Sequence, residues 1–289
     1  MINQTKFVGC IAGFLGLVGS SFAQLNGDFT LDLSSVDIPA FNGATFEDTI
    51  SSTSVSFEFT QGLTSNRLTG AGTVSATDVF DNGSITVDSI EGNINFSATL
   101  ALRGRTVSLA GAKATLAGVT GSGTAIVAGE EYGVDVTGVT GAYTIRNMII
   151  NLDTEEISGV IAPGSLTIRG QGTDYPQIKR TVVARYTQEN LGPSPFSGEI
   201  VNPSLALSLA TSPKGKITGS ATGTFGNYDD VAFNVTRGQR NARSGISTVT
   251  LVSTSVRGVS ATLNLDGEGE LVSRPKSSLQ VLGYRLQFP

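Results

Sequence analysis

The strongest constraint on this chain is a two-residue alternation of apolar and polar side chains that recurs along most of its length. Phe29, Leu31 and Leu33 alternate with Thr30 and Asp32, and Val55, Phe57 and Phe59 with Ser56 and Glu58. Leu205, Leu207 and Leu209 alternate with Ala206 and Ser208, and a longer run sets Ile94, Phe96, Ala98, Leu100 and Leu102 mostly against Asn, Ser and Thr. Successive side chains of a strand point to opposite faces, so each run makes a ribbon with one oily and one wet face. Antiparallel sheets that bury one side have this pattern. No segment beyond residue 24 keeps a helical period over three turns. Residues 146–152 (RNMIINL) are apolar on both faces and read as a central strand or a short helix.

Turn chemistry punctuates the runs. Asn42-Gly43 and Asn82-Gly83 are hairpin dipeptides, because both residue types tolerate positive φ. Glycine is frequent, at 36 residues, and its spacing predicts short strands of about 8–12 residues per strand and turn, as in a sandwich or barrel. The pairs Gly70/Gly72, Gly121/Gly123 and Gly267/Gly269 have no helix after them and read as turns or bulges.

A faint self-similarity runs through the chain. Phe41-Asn42-Gly43 resembles Phe196-Ser197-Gly198, residues 55–59 resemble 205–209, and Leu68-Thr69-Gly70 resembles Ile217-Thr218-Gly219. Further on, residues 114–116 resemble 261–263, 121–123 resemble 267–269, and 134–136 resemble 279–281, in the same order. Kept order with a slowly drifting offset is the mark of a duplication. The expectation is therefore all-β: antiparallel sheets in two related β-sandwich-like lobes, residues 24–145 and 183–289, joined by connecting strands at 146–182. A single closed β-barrel is the alternative.

The N-terminus reads as a secretory signal peptide over residues 1–23. Lys6 supplies the positive charge, residues 7–18 the apolar stretch, and Ser21-Phe22-Ala23 the small-x-small cleavage site, leaving Gln24 first in the mature chain. Export to the periplasm, the outer surface or the extracellular space follows. Removing this leader removes Cys10, the single cysteine of the sequence, so no disulfide is expected. Of 19 Lys and Arg, Lys6 goes with it, leaving 18 against 24 acids, a balance that does not suit nucleic acid.

Chemistry is restricted further by what the alphabet lacks. With no histidine and no mature cysteine, Ser-His-Asp and Cys-His catalytic units and ordinary zinc sites are ruled out. Ser273-Arg-Pro-Lys276 has a nucleophile-like spacing, but Pro275 opposes the helix it needs. Glu130-Glu131, Asp153 with Glu155 and Glu156, and Asp229-Asp230 are carboxylate pairs of the kind glycoside hydrolysis uses, and all sit in turn-like polar segments. Asp266, Glu268 and Glu270 alternate, so in an extended strand they share a face and make a candidate calcium site. Arg237, Arg240 and Arg243 surround Gly238 and make a candidate anion-contact loop.

No cofactor is expected. The function expected is a non-catalytic exported cell-envelope or extracellular β protein with a structural or binding role, its partner an envelope polymer or another surface protein. One alternative is an outer-membrane β-barrel, because Leu282-Gly-Tyr-Arg-Leu-Gln-Phe288 resembles the terminal strand of such barrels. A carboxylate-based glycosidase or lyase is the second.

Overall fold

The computed structural model describes residues 25–33, 36, 38–225 and 228–288; the predicted signal peptide lies outside them. Among the described residues every regular element is a strand. In chain order these are β1 (Gly27–Asp32), β2 (Ile38–Ala40), β3 (Thr45–Ile50), β4 (Thr53–Gln61), β5 (Arg67–Asp81), β6 (Ile85–Arg103) and β7 (Thr106–Val127). There follow β8 (Glu130–Thr140), β9 (Ala142–Asn151), β10 (Glu156–Ile161), β11 (Gly164–Gly172), β12 (Lys179–Tyr186), β13 (Glu189–Pro195) and β14 (Glu199–Val201). The last are β15 (Ser204–Thr211), β16 (Ile217–Phe225), β17 (Tyr228–Arg240), β18 (Ser247–Ser253), β19 (Ser260–Leu265), β20 (Ser277–Val281) and β21 (Tyr284–Phe288). Every ladder is antiparallel, as the alternation predicts.

The larger sheet curls into a nearly closed barrel. Ladders run β3–β4–β5–β6–β7–β9–β10–β13. β13 then returns to β3 through a single bridge, Phe46 to Phe196. The Thr45 amide donates to Ser197 Oγ at 2.8 Å beside that bridge. β7 spans 22 residues and forks: its first half pairs with β9, its second with β8, from which β11 and β12 continue as a wing.

The expected short strands are here much longer, since β6 and β7 run to 19 and 22 residues. Glycine explains the difference. Gly111 and Gly118 have left-handed φ of 64° and 60° and sit where the β6–β7 register slips. They are bulges that bend and twist the ladder without ending it, which is how a long strand wraps a barrel. Gly72 serves close approach: a Cβ there would overlap the Ser56 carbonyl of β4.

The smaller sheet is a half-barrel in the order β1–β15–β16–β17–β18–β19–β20–β21. On β15, Leu205, Leu207 and Leu209 are buried while Ser204, Ala206 and Ser208 are exposed, so the period read from sequence is realised residue by residue. The all-β antiparallel architecture is as expected, with each sheet curved around its own apolar face as a nearly closed barrel and a half-barrel. Residues 146–151 lie in β9, the strand reading of the two, and Leu152 begins the turn after it.

The N-terminal strand β1 pairs with β15, and β2 pairs with β14, so the chain's start is stitched into its C-terminal half. Gln61, 1% exposed, joins barrel to half-barrel: its Oε1 accepts from the Phe41 amide at 3.1 Å and its Nε2 donates to the Leu282 carbonyl at 3.0 Å. The Tyr228 hydroxyl donates to the Gln61 carbonyl at 3.0 Å from the half-barrel side. Of the self-similar segments, 55–59 and 205–209 both lie on strands that hairpin into the next, β4 to β5 and β15 to β16. Downstream the parts diverge: residues 121–123 are inside β7, whereas 267–269 form a loop.

Candidate functional site

Inside the barrel the inward positions leave an apolar cavity of about 200 Å³. Its deep end is aromatic. Phe57 and Phe59 on β4 stack at 6.0 Å, and Phe96 on β6 meets both edge-on, at 5.7 and 5.4 Å. Beyond Phe59, Phe196 and Phe41 pack edge-on at 5.3 Å and close that end. The alternation of β4 and β6 places these rings inside: Ser56, Glu58 and Asn95 face away. Ile94, Met148 and Leu166 carry the wall around.

The other end is polar and exposed. The β3–β4 turn contributes Ser51 and Ser52, a bulge in β5 contributes Asp78, and the β12–β13 junction contributes Arg185, Thr187 and Glu189. Ser51 and Asp78 both adopt left-handed φ of 53°, which turns the chain at the rim. The turn is tied to β5 by the Thr77 amide donating to the Ser52 carbonyl at 3.1 Å. Across the seam between β3 and β13, Ser51 Oγ donates to Glu189 Oε2 at 3.4 Å.

Two tyrosines stand just inside. Tyr143 on β9 and Tyr186 on β12 pack at 4.8 Å, and the Tyr186 hydroxyl donates to the Ala142 carbonyl at 2.9 Å. A side chain at Gly164 would collide with that hydroxyl, so the glycine gives Tyr186 its place. Burial, followed by the charges of Tyr186 and Glu189, pushes the Tyr143 phenol up to about 12. It therefore stays a neutral hydroxyl, able to donate, across the ordinary pH range.

The candidate anion-contact arginines and candidate metal acids lie elsewhere, at one end of the half-barrel. Arg237 and Arg240 are on β17, and Arg243 is in the exposed β17–β18 turn. Lys216 bridges to Gln239, so the neighbouring β15–β16 turn brings Lys214 and Lys216 to the same end. Because Ser247 pairs with Leu265, the 266–270 loop lies there too. This is a loop where an extended strand was expected, since pairing stops at Leu265. Asp266 Oδ1 accepts from the amides of Glu268 and Glu270, each at 2.9 Å, an acid serving its own loop. Among the described residues no group of three or more acidic side chains is placed to hold a metal ion. The acids thus sit near the arginines and offset part of their field.

The carboxylate pairs are at turns and strand ends. Asp153 pairs with Arg105 at 2.9 Å on the surface, and Glu130 accepts from the Tyr132 hydroxyl at 2.9 Å. Residues 273–276 are a bend between β19 and β20. The cavity itself was not anticipated from the sequence. Its signal was present in Phe57, Phe59 and Phe96, but an inward aromatic reads equally as packed core until the strand order is known. Comparison with known protein families, curated proteins and solved structures finds no match.

Proposed function

We propose that this chain is an exported, non-catalytic β protein whose role is binding, and that its binding element is the barrel interior. The observation carrying this reading is a single one: an apolar cavity floored by Phe57, Phe59 and Phe96 and open at a polar rim. Small-molecule sites are concave and mostly apolar, with a few polar groups at fixed positions. A barrel of about eight strands is wide enough to hold one small ligand or to be filled by side chains.

The direction of the alternation supports a water-facing protein over an outer-membrane barrel. Along β5 the outward positions Arg67, Ala71, Thr73, Ser75 and Thr77 are exposed and mainly polar, while Leu68, Val74 and Ala76 are buried inside. A membrane-spanning barrel carries its apolar band outside and its polar residues inside.

The test is titration of the purified mature protein with an environment-sensitive apolar dye. Saturable fluorescence enhancement at one site, abolished by filling the cavity with Ala76→Leu, is the expected result. Enhancement unchanged by that substitution would place the dye elsewhere and overturn the assignment. N-terminal sequencing of the protein from its own cells should begin at Gln24; retention of residues 1–23 would remove the case for cleavage and export.

A further inference from the structure

The size and polar groups of the cavity specify an occupant. We infer that the barrel takes a small neutral amphiphile, in chemical class a medium-chain alcohol, with its tail against Phe57, Phe59 and Phe96 and its hydroxyl between Tyr143 and Glu189. This rests on the proposed binding role of the barrel and narrows it to a ligand class.

Volume sets the first limit. A dry cavity of about 150 Å³ lined by aliphatic and aromatic groups holds one benzene. The barrel cavity, at about 200 Å³, is modestly larger. It lies below the range of roughly 300–1,000 Å³ typical of drug-sized ligands. One short chain or one ring fits; a two-chain lipid does not.

Shape and charge set the next. The cavity runs from buried phenyl rings at one end to exposed Ser51, Asp78 and Arg185 and half-buried Glu189 at the other, so an occupant places its apolar part inward and its polar part at the rim. Two carboxylates against one guanidinium make the rim unfavourable for an anion. Just inside the rim the available hydrogen-bonding groups are the Tyr143 phenol, a donor, and the Glu189 carboxylate, an acceptor already touched by Ser51. An alcohol satisfies both at once, accepting from the phenol and donating to the carboxylate. A hydrocarbon satisfies neither, and a carboxylate can serve only the donor. Hydrogen bonds involving a charged partner are the stronger kind, so the carboxylate side should discriminate most.

The experiment is calorimetric titration of the mature protein with octanol, octanoate and octane, each below its solubility limit. Octanol is expected to bind about tenfold or more tighter than octanoate. Tyr143→Phe should weaken octanol roughly tenfold, in line with about one neutral hydrogen bond, and Glu189→Leu, which removes the charged acceptor, by more than about tenfold, while neither weakens octane. Ala76→Leu should abolish all three; if that variant does not fold, Met148→Phe fills the same space. Octanoate binding tightest, or octanol and octane binding equally and indifferently to Tyr143→Phe, would overturn the ligand class while leaving the barrel as a binding site. No binding by any of the three, in a protein whose folding is verified and whose dye site is also missing, would remove both the ligand class and the binding role beneath it.

Discussion

On β19 of the half-barrel, Leu263 sits opposite Val249 and both are fully buried, as are Leu251 and Leu279 beside them. On β9 of the barrel, Tyr143 is only partly buried, and so are Val79 on β5 and Ile161 on β10, and all three border the cavity. The two sheets draw on the same alternating pattern and the same residue types. They differ in closure. The half-barrel closes over its own side chains, with Phe225 and Phe233 meeting at 6.2 Å in its core. The barrel carries a wing, β8–β11–β12, and a seam joined by the Phe46–Phe196 bridge, and its interior retains an apolar cavity. An alternating sequence therefore specifies which side chains go inside, while register and closure decide whether the inside is full.

The sharpest way to break this contrast is to truncate one side chain in each region. Phe233→Ala in the half-barrel should cost about 3–5 kcal/mol, since the surrounding core cannot collapse into the space. Met148→Ala beside the barrel cavity should cost about 2 kcal/mol, at the low end for such truncations, because one side of Met148 already lacks partners. Urea denaturation of both variants measures the pair. Equal losses would show the barrel interior to be as tightly packed as the half-barrel.

Next in size is the joint between the regions. Gln61→Leu removes the acceptor of the Phe41 amide and the donor to the Leu282 carbonyl. Leaving buried polar groups unpaired costs about 1–3 kcal/mol each. The expected outcome is a lower midpoint with both regions still melting together. A second, separate transition would show that barrel and half-barrel fold independently and are only tethered.

Opposite signs are expected from one substitution made twice. Ala76 lines the cavity and Ala261 lies in the half-barrel core, 2% exposed. Ala76→Leu fills space and should stabilise by about 0.5–2 kcal/mol. Ala261→Leu overpacks and should destabilise by about 1–3 kcal/mol. Thermal melting of the two variants decides it, and the same sign in both would end the distinction between hollow and filled.

These contrasts also show what the sequence made legible. Burial on β4, β6 and β15 follows directly from Phe57, Phe59, Ile94 and Leu205 to Leu209, because period-2 patterning is a local property. Asn42-Gly43 and Asn82-Gly83 fall at turns for the same reason, with Gly43 and Gly83 at φ of 78° and 75°. Gly111 and Gly118 misled, since a glycine that bulges a strand and one that ends it look alike until the partner strand is known. The pairing of β1 with β15 and the Phe46–Phe196 closure join residues more than a hundred positions apart, and no local pattern encodes them. The cavity depends on that closure, so it was hidden, whereas the charged segments at 237–243 and 266–270 were visible because charge is legible without a fold.

The last difference is silent at neutral pH and separates the regions only in alkali. Burial raises the phenols of both Tyr143 in the barrel, to about 12, and Tyr284 in the half-barrel, there partly offset by the Gln61 side chain. A phenol whose folded pKa lies above its unfolded value of about 10 binds its proton more tightly when folded. Its contribution is complete below pH 10 and is lost as pH rises through the folded value, so stability should decline on the alkaline side alone. Tyr143 stands just inside an open rim and should ionise near pH 12 with the fold intact. Tyr284 is 4% exposed and should ionise only as the half-barrel opens. Phenolate absorbance followed alongside circular dichroism through a pH ramp distinguishes them: Tyr143→Phe should remove absorbance that precedes unfolding, and Tyr284→Phe absorbance that coincides with it. If Tyr143 also ionises only with unfolding, its hydroxyl is sealed from solvent and the barrel has no open mouth.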